Sequence, residues 1–171
     1  PPEFPMSVLS ALALARRPSA AFLTIGLFWG AWAAYVPEVK AGLGVSDGEF
    51  GVLLMGSAVG LVAAMWIAPR TDRRLGRLAM PVLATAFALA WTLPPLMGQP
   101  AAFALSLVVV GLMSGLLDVT MNARTSELEA AHARPLMNAA HGMFSVGYAV
   151  AALYAGAMRE LGASAFLAQM G

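Results

Sequence analysis

Five long apolar stretches separated by short polar ones set the pattern of this chain. Residues 18–37 run for 20 positions without a charge, enough to cross about 30 Å of hydrocarbon at 1.5 Å per helical residue. Residues 50–69, 78–99, 101–124 and 135–158 repeat the pattern. The spacing therefore predicts an all-α, polytopic membrane bundle of five transmembrane helices, with 165–171 as the start of a sixth that is cut short. Between the spans lie a polar turn at 40–49, a strongly basic loop at 69–77, a charged connector at 125–134 and a turn at 159–164. Pro94 and Pro95 break the far end of the third span, and Pro135 suits the first turn of the fifth. Residues 7–15 are apolar and are followed by Arg16 and Arg17. A signal peptide would carry its positive charge first, so this segment reads as a cytoplasmic lead-in helix, and residues 1–5 read as a cloning scar.

Composition sharpens the class. Of 171 residues, 60% are hydrophobic and 11% charged, less than half the charged share of an ordinary soluble domain. Arg16, Arg17, Arg70, Arg73, Arg74, Arg77, Arg124 and Arg134 fall on one side of the predicted bundle, and Lys40 and Arg159 on the other. This bias places the N-terminus in the cytoplasm. The net charge of +1, with basic residues dispersed, argues against a nucleic-acid partner. With no cysteine present, disulfides and thiolate metal sites are excluded.

The most informative stretch is 111–123, an apolar helix with one acid, Asp118, and one amide, Asn122. Gly111, Gly115, Asp118 and Asn122 follow the i, i+3, i+4 rule and share a stripe, which is the candidate active surface. A charged side chain in such a segment costs about 2.5–3.5 kcal/mol on insertion scales and is retained where it faces a bundle interior or a water-filled path. Asp118 is therefore the leading functional residue. Counted inward from Arg124 and Arg134, Asp118 and His141 sit about 9 and 10.5 Å deep on consecutive helices. A histidine beside a carboxylate titrates with it in coupled steps, so the two are the candidate proton-coupling pair. Ser145 and Tyr148 continue the His141 face, and with Asn122 they are candidate solute contacts. Phe28, Trp32 and Tyr35 form an aromatic stripe that either packs, with Tyr35 in an interfacial belt, or lines a cavity, where Trp32 would touch solute. Small-xxx-small pairs at Gly26/Gly30, Gly56/Gly60 and Gly111/Gly115 predict close helix approach.

Five spans, a basic loop between the second and third and an acid on the fourth resemble the N-terminal half of a major facilitator superfamily transporter. Gly115-Leu-Leu-Asp-Val-Thr-Met-Asn-Ala123, Arg134-Pro-Leu-Met137 and His141-Gly-Met-Phe-Ser-Val-Gly147 resemble the fucose permease branch and its bacterial relatives of unassigned substrate. That branch carries an acid followed four residues later by asparagine on the fourth span, matched by Asp118 and Asn122. Its first-span acid has no match here. The superfamily loop motif Gly-x-x-x-Asp-Arg-x-Gly-Arg is met imperfectly by Asp72, Gly76 and Arg77, since anchoring on Asp72 brings the glycine one residue late. In the family this motif latches the two halves at the cytoplasmic side; otherwise its arginines set topology and meet anionic lipid.

The resemblance implies secondary active transport of a small solute, a sugar or metabolite, across the bacterial inner membrane by alternating access, driven by protons. No cofactor or metal is implied. The partners are the lipid bilayer, the solute, and either a missing C-terminal half or a second copy, because the site of such a transporter lies between two halves. Efflux of a drug or metabolite, and a non-transporting module acting as a homodimer, are the alternatives. An intramembrane enzyme would need His132, His141 and Asp118 to converge, and no His-Glu-x-x-His pattern exists.

Overall fold

The computed structural model describes residues 7–162, so the expectations for 1–5 and 165–171 lie outside the described residues. All regular structure among the described residues is helical: α1 (Val8–Leu14), α2 (Arg16–Leu43), α3 (Asp47–Leu75), α4 (Ala79–Ala90), α5 (Pro100–His132) and α6 (Met137–Glu160).

Residues 18–37, 50–69 and 101–124 fall inside α2, α3 and α5, while 78–99 and 135–158 overlap α4 and α6 only in part. The turn at 40–49 shrinks to Gly44–Ser46, because α2 passes through Pro37 and stops only at Gly44, which has a positive φ of 65°. Ser46 then caps α3 in a box with Glu49. The basic loop is helical as far as Leu75, so Asp72, Arg73 and Arg74 ride on the last turns of α3. Most of the 125–134 connector belongs to α5, whose alanine- and glutamate-rich end favours helix. Pro135 precedes α6 rather than opening it. The third span is shorter than expected: α4 ends at Ala90 and tapers through a turn into a 3-10 segment at Pro94–Leu96, where consecutive prolines lack amides for the ladder.

By length and composition, three stretches are able to cross a membrane: Arg16–Leu43, Asp47–Leu96 and Pro100–His132. Five separate spans do not follow from this measure. The second stretch contains both α3 and α4, and α6 falls outside the three.

Packing is dominated by two helix pairs, α2 with α6 and α3 with α5; α4 lies against α5, and α2 also touches α5. The glycine pairs explain the pairing. A Cβ on Gly26 or Gly30 would run into the carbonyls of Phe144 and Tyr148 on α6, and one on Gly147 into Leu23 of α2. Gly56 and Gly60 meet Ala104 and Val108 of α5, while Gly111 meets Ser57 and Gly115 meets Ala64. Lipid tails are as apolar as the helix surfaces, so close van der Waals approach, not water exclusion, drives association here.

An aromatic core joins the pairs. Trp91, 1% exposed, lies in ring contact with Phe28, Trp29, Trp32 and Phe87, and Phe103 stacks between Trp32 and Phe50. Tyr35 is fully buried beside Ala155, so the interfacial-belt reading of Tyr35 is corrected: the α2–α6 seam covers it.

The start of α6 is fixed by a carboxylate. Glu129 near the end of α5 accepts from the backbone N–H groups of Met137 (2.8 Å) and Leu136 (2.6 Å), while Leu136 packs on Ala11 and Ala15. These two bonds hold the Glu129 carboxyl below its usual range, with Met137 the larger contributor. A lowered folded-state value stabilises at neutral pH, and the stabilisation is lost as pH falls through the carboxylate range. Glu129→Ala is therefore expected to lower the thermal midpoint at pH 7 and to match the parent once pH lies below that range. A difference that persists unchanged in acid would contradict the assignment.

Candidate functional site

The predicted stripe on α5 divides. Gly111 and Gly115 are buried against α3, whereas Asp118 is exposed and Asn122 half-exposed farther along the same helix. The four positions lie within about 60° of one another around the helix, so exposure changes along the stripe because α3 covers the glycines and not the polar pair. The glycines are packing residues, and Asp118 with Asn122 form the polar part. Asn122 Nδ2 donates to the Asp118 backbone carbonyl (2.9 Å) and to Asp118 Oδ1 (3.2 Å), which orients the carboxylate and leaves its second oxygen uncommitted among the described residues.

His141 on the first turns of α6 lies within electrostatic reach of Asp118. Its ring meets Phe22 of α2 edge-on, at 4.4 Å between centroids and 68° between planes. Phe22 is 2% exposed. It is thus a rigid abutment for a histidine that is itself exposed. Sequence reasoning missed Phe22, because a buried phenylalanine on an apolar helix gives no signal of what it touches.

Ser145 and Tyr148 are exposed farther along α6, and neither hydroxyl has a hydrogen-bond partner among the described residues. Asp118, His141, Ser145 and Tyr148 are thus all accessible in this chain. Trp32 is not: it is 6% exposed between Trp91 and Phe103. Packing accounts for its position, the first of the two readings of the aromatic stripe. His132 bonds the carbonyl of Leu128 at the end of α5, in the connector. Among the described residues no three histidine or acidic side chains gather as metal ligands would.

The loop-motif residues separate into two roles. Asp72 accepts a two-pronged contact from Arg124 Nη2, at 2.9 and 3.1 Å, while Arg124 Nη1 reaches Glu127. Asp72 therefore ties α3 to α5. Arg124 entered the sequence reading as a marker of topology and depth, and nothing in the spacing pointed to Asp72 as its partner. Gly76 ends α3 with φ 52°, ψ −120°, a conformation costly for other residues. Arg77 is exposed, and with Arg17 it borders a cleft of about 660 Å³ between the N-terminal ends of α2 and α4, away from Asp118.

A chain with this architecture is similar to several bacterial membrane proteins. It is 37% identical over 151 residues, 88% of its length, to an uncharacterized MFS-type transporter of Yersinia pestis. An uncharacterized transporter of Sinorhizobium fredii is 35% identical over 77% of the chain, and membrane protein MosC of Rhizobium meliloti is 31% identical over 74%. The chain spans only 39%, 35% and 31% of these relatives' own lengths. No family model matches the chain, and no solved structure matches it.

Proposed function

Similarity to MFS-type transporters supports membership of the major facilitator superfamily, and on that premise we propose that this chain is the N-terminal bundle of a proton-coupled transporter of a small polar solute. The observation that carries the reading is the placement of polarity. In a chain whose packing faces are glycine, alanine and aromatic, Asp118, Asn122, His141, Ser145 and Tyr148 all retain exposure on α5 and α6. Polar groups kept accessible inside apolar helices mark a solute or ion path. A second bundle, supplied by the rest of a longer protein, would close that path and rock against this one.

Within this reading the bundle has five spans. The 50-residue stretch Asp47–Leu96 would be about 75 Å long if straight, more than twice the hydrocarbon thickness, and it bends at Gly76, so α3 and α4 are separate crossings. The N-terminus is cytoplasmic, since the arginine-rich ends of α2, α3 and α5 then share the inner face of a bacterial inner membrane. Single cysteines replacing Gly42 and Ser126, both exposed, test the orientation in a chain that has no other cysteine. An impermeant thiol reagent added to intact cells is expected to label position 42 and to spare 126. The reverse pattern would overturn the topology.

Asp118 and His141 carry the proton and Asn122, Ser145 and Tyr148 meet the solute; the fucose permease resemblance makes monosaccharides the first class to try. The test is reconstitution of the full-length protein with labelled monosaccharides, fucose first, under an imposed acid-outside gradient. Accumulation above equilibrium that collapses with a protonophore supports the proposal. Solute that equilibrates without responding to the gradient removes the coupling, and export against the gradient favours the efflux reading.

A further inference from the structure

The two tightly packed helix pairs are built alike. Along α2 and α6 the contacts advance from Gly26 against Phe144 to Gly30 against Tyr148 and end at Glu38 against Arg159. Along α3 and α5 they advance from Gly56 against Ala104 to Gly60 against Val108 and end at Asp72 against Arg124. Residue numbers rise together within each pair, so both pairs are parallel. Because the chain alternates direction, one pair runs opposite to the other. Each has glycine contacts in its middle and, among the described residues, a single interhelical ion pair, at its C-terminal end.

We infer that Glu38–Arg159 is an outer-face clasp, the counterpart of Asp72–Arg124 on the cytoplasmic face, with Arg159 acting as a positioning residue that fixes the outer half of α6 to α2. The inference rests on the topology proposed above. Arg159 Nε lies 3.6 Å from Glu38 Oε1, and Arg159 Nη1 donates at 2.8 Å to the carbonyl of Ala34. That carbonyl adjoins the one of Ala33, which Pro37 leaves without its helical donor. Arg159 thus braces α2 where its own hydrogen bonding is interrupted. Beneath the clasp lie fully buried Tyr35 and Ala155, packed with Met158. Ser145 and Tyr148 stand on the same helix, so the clasp makes their face travel with α2. During exchange, α2 and α6 move as one body at the outer face, and α3 and α5 as one body at the cytoplasmic face.

The test uses the full-length protein freed of other cysteines, with Ala155→Cys as a reporter in the outer seam and Ser126→Cys as a cytoplasmic control. In the parent, an impermeant maleimide added outside should label position 155 slowly. Glu38→Arg and Arg159→Glu should each raise that rate two- to tenfold, the range for a partly exposed pair turned into a like-charge contact. The double swap should recover at least half of the change, because the charge contact returns while the bond to Ala34 does not. Labelling of Ser126→Cys in permeabilised cells should stay constant. Unchanged rates in the single variants, a double swap as leaky as either single, or equal loosening at position 126 would each overturn the clasp. If the single variants fail to accumulate, recovery of membrane levels by the swap supports it, and failure of the swap overturns it. Labelling needs no solute or proton gradient, so it stands apart from the coupling role, and an inverted topology would show itself as labelling of position 155 only after permeabilisation.

Discussion

Gly60→Ala is expected to be, with Gly111→Ala, among the most damaging one-atom changes in the described residues. The new methyl would overlap the carbonyl of Val108 and crowd the amide of Leu112 and the backbone of Gly111. Each of these is helix backbone, which cannot rotate aside as a flexible side chain does. Overpacking in a close-packed interior costs about 1–3 kcal/mol, and a backbone obstacle puts this site at or above the upper end. The loss falls on the α3–α5 pair, since α3 meets little else. A drop of several degrees or more in the thermal midpoint of the detergent-solubilised protein is the expected result. Gly42→Ala serves as the control, because nothing lies within 4 Å of a Cβ there. Equal behaviour of the two variants would mean that α3 and α5 do not approach as described.

This case also shows what was legible in the sequence. Glycine spacing announced that some backbone comes close at Gly26, Gly30, Gly56, Gly60, Gly111 and Gly115, and another helix meets each of them. Spacing on one helix carries no address, however, so the pairing of α2 with α6 and α3 with α5 had to come from tertiary structure. Helix centres were readable because hydropathy is a property of a window. Helix ends were not. Pro37 and Pro69 sit inside helices, tolerated where arginine side chains reach carbonyls beside the break.

Among the candidate site residues, the contact of Asp118 with Asn122 was readable from i, i+4 geometry. Tyr35 was misplaced, and packing and cavity lining stayed open for Trp32, for a common reason. Interface aromatics and core aromatics have the same composition and period, and only the positions of Trp91, Phe103 and Ala155 separate them. Arg124 as the partner of Asp72 was hidden by the 52 residues between them.

Asp118→Asn is expected to abolish proton-driven accumulation while leaving the fold and downhill exchange in place. The substitution keeps the size of the side chain and an oxygen that can still accept from Asn122 Nδ2, so the local bond now at 3.2 Å can persist. On the proposed coupling role, what disappears is the group that would gain and lose a proton beside His141. One proton per solute across a gradient of one pH unit supports about tenfold accumulation, since a factor of ten corresponds to about 1.4 kcal/mol. Removing the proton site should bring that ratio to one. If Asp118 were a structural group, the change would instead lower membrane expression or the thermal midpoint and leave the response to pH intact. The most direct measurement is the steady-state accumulation ratio of the transported solute in proteoliposomes of the full-length protein, parent and Asp118→Asn side by side, with and without an acid-outside gradient of one unit. The account predicts a ratio near ten for the parent and one for the variant, with downhill exchange within about threefold of each other. A folded Asp118→Asn protein that still accumulates solute tenfold would contradict it.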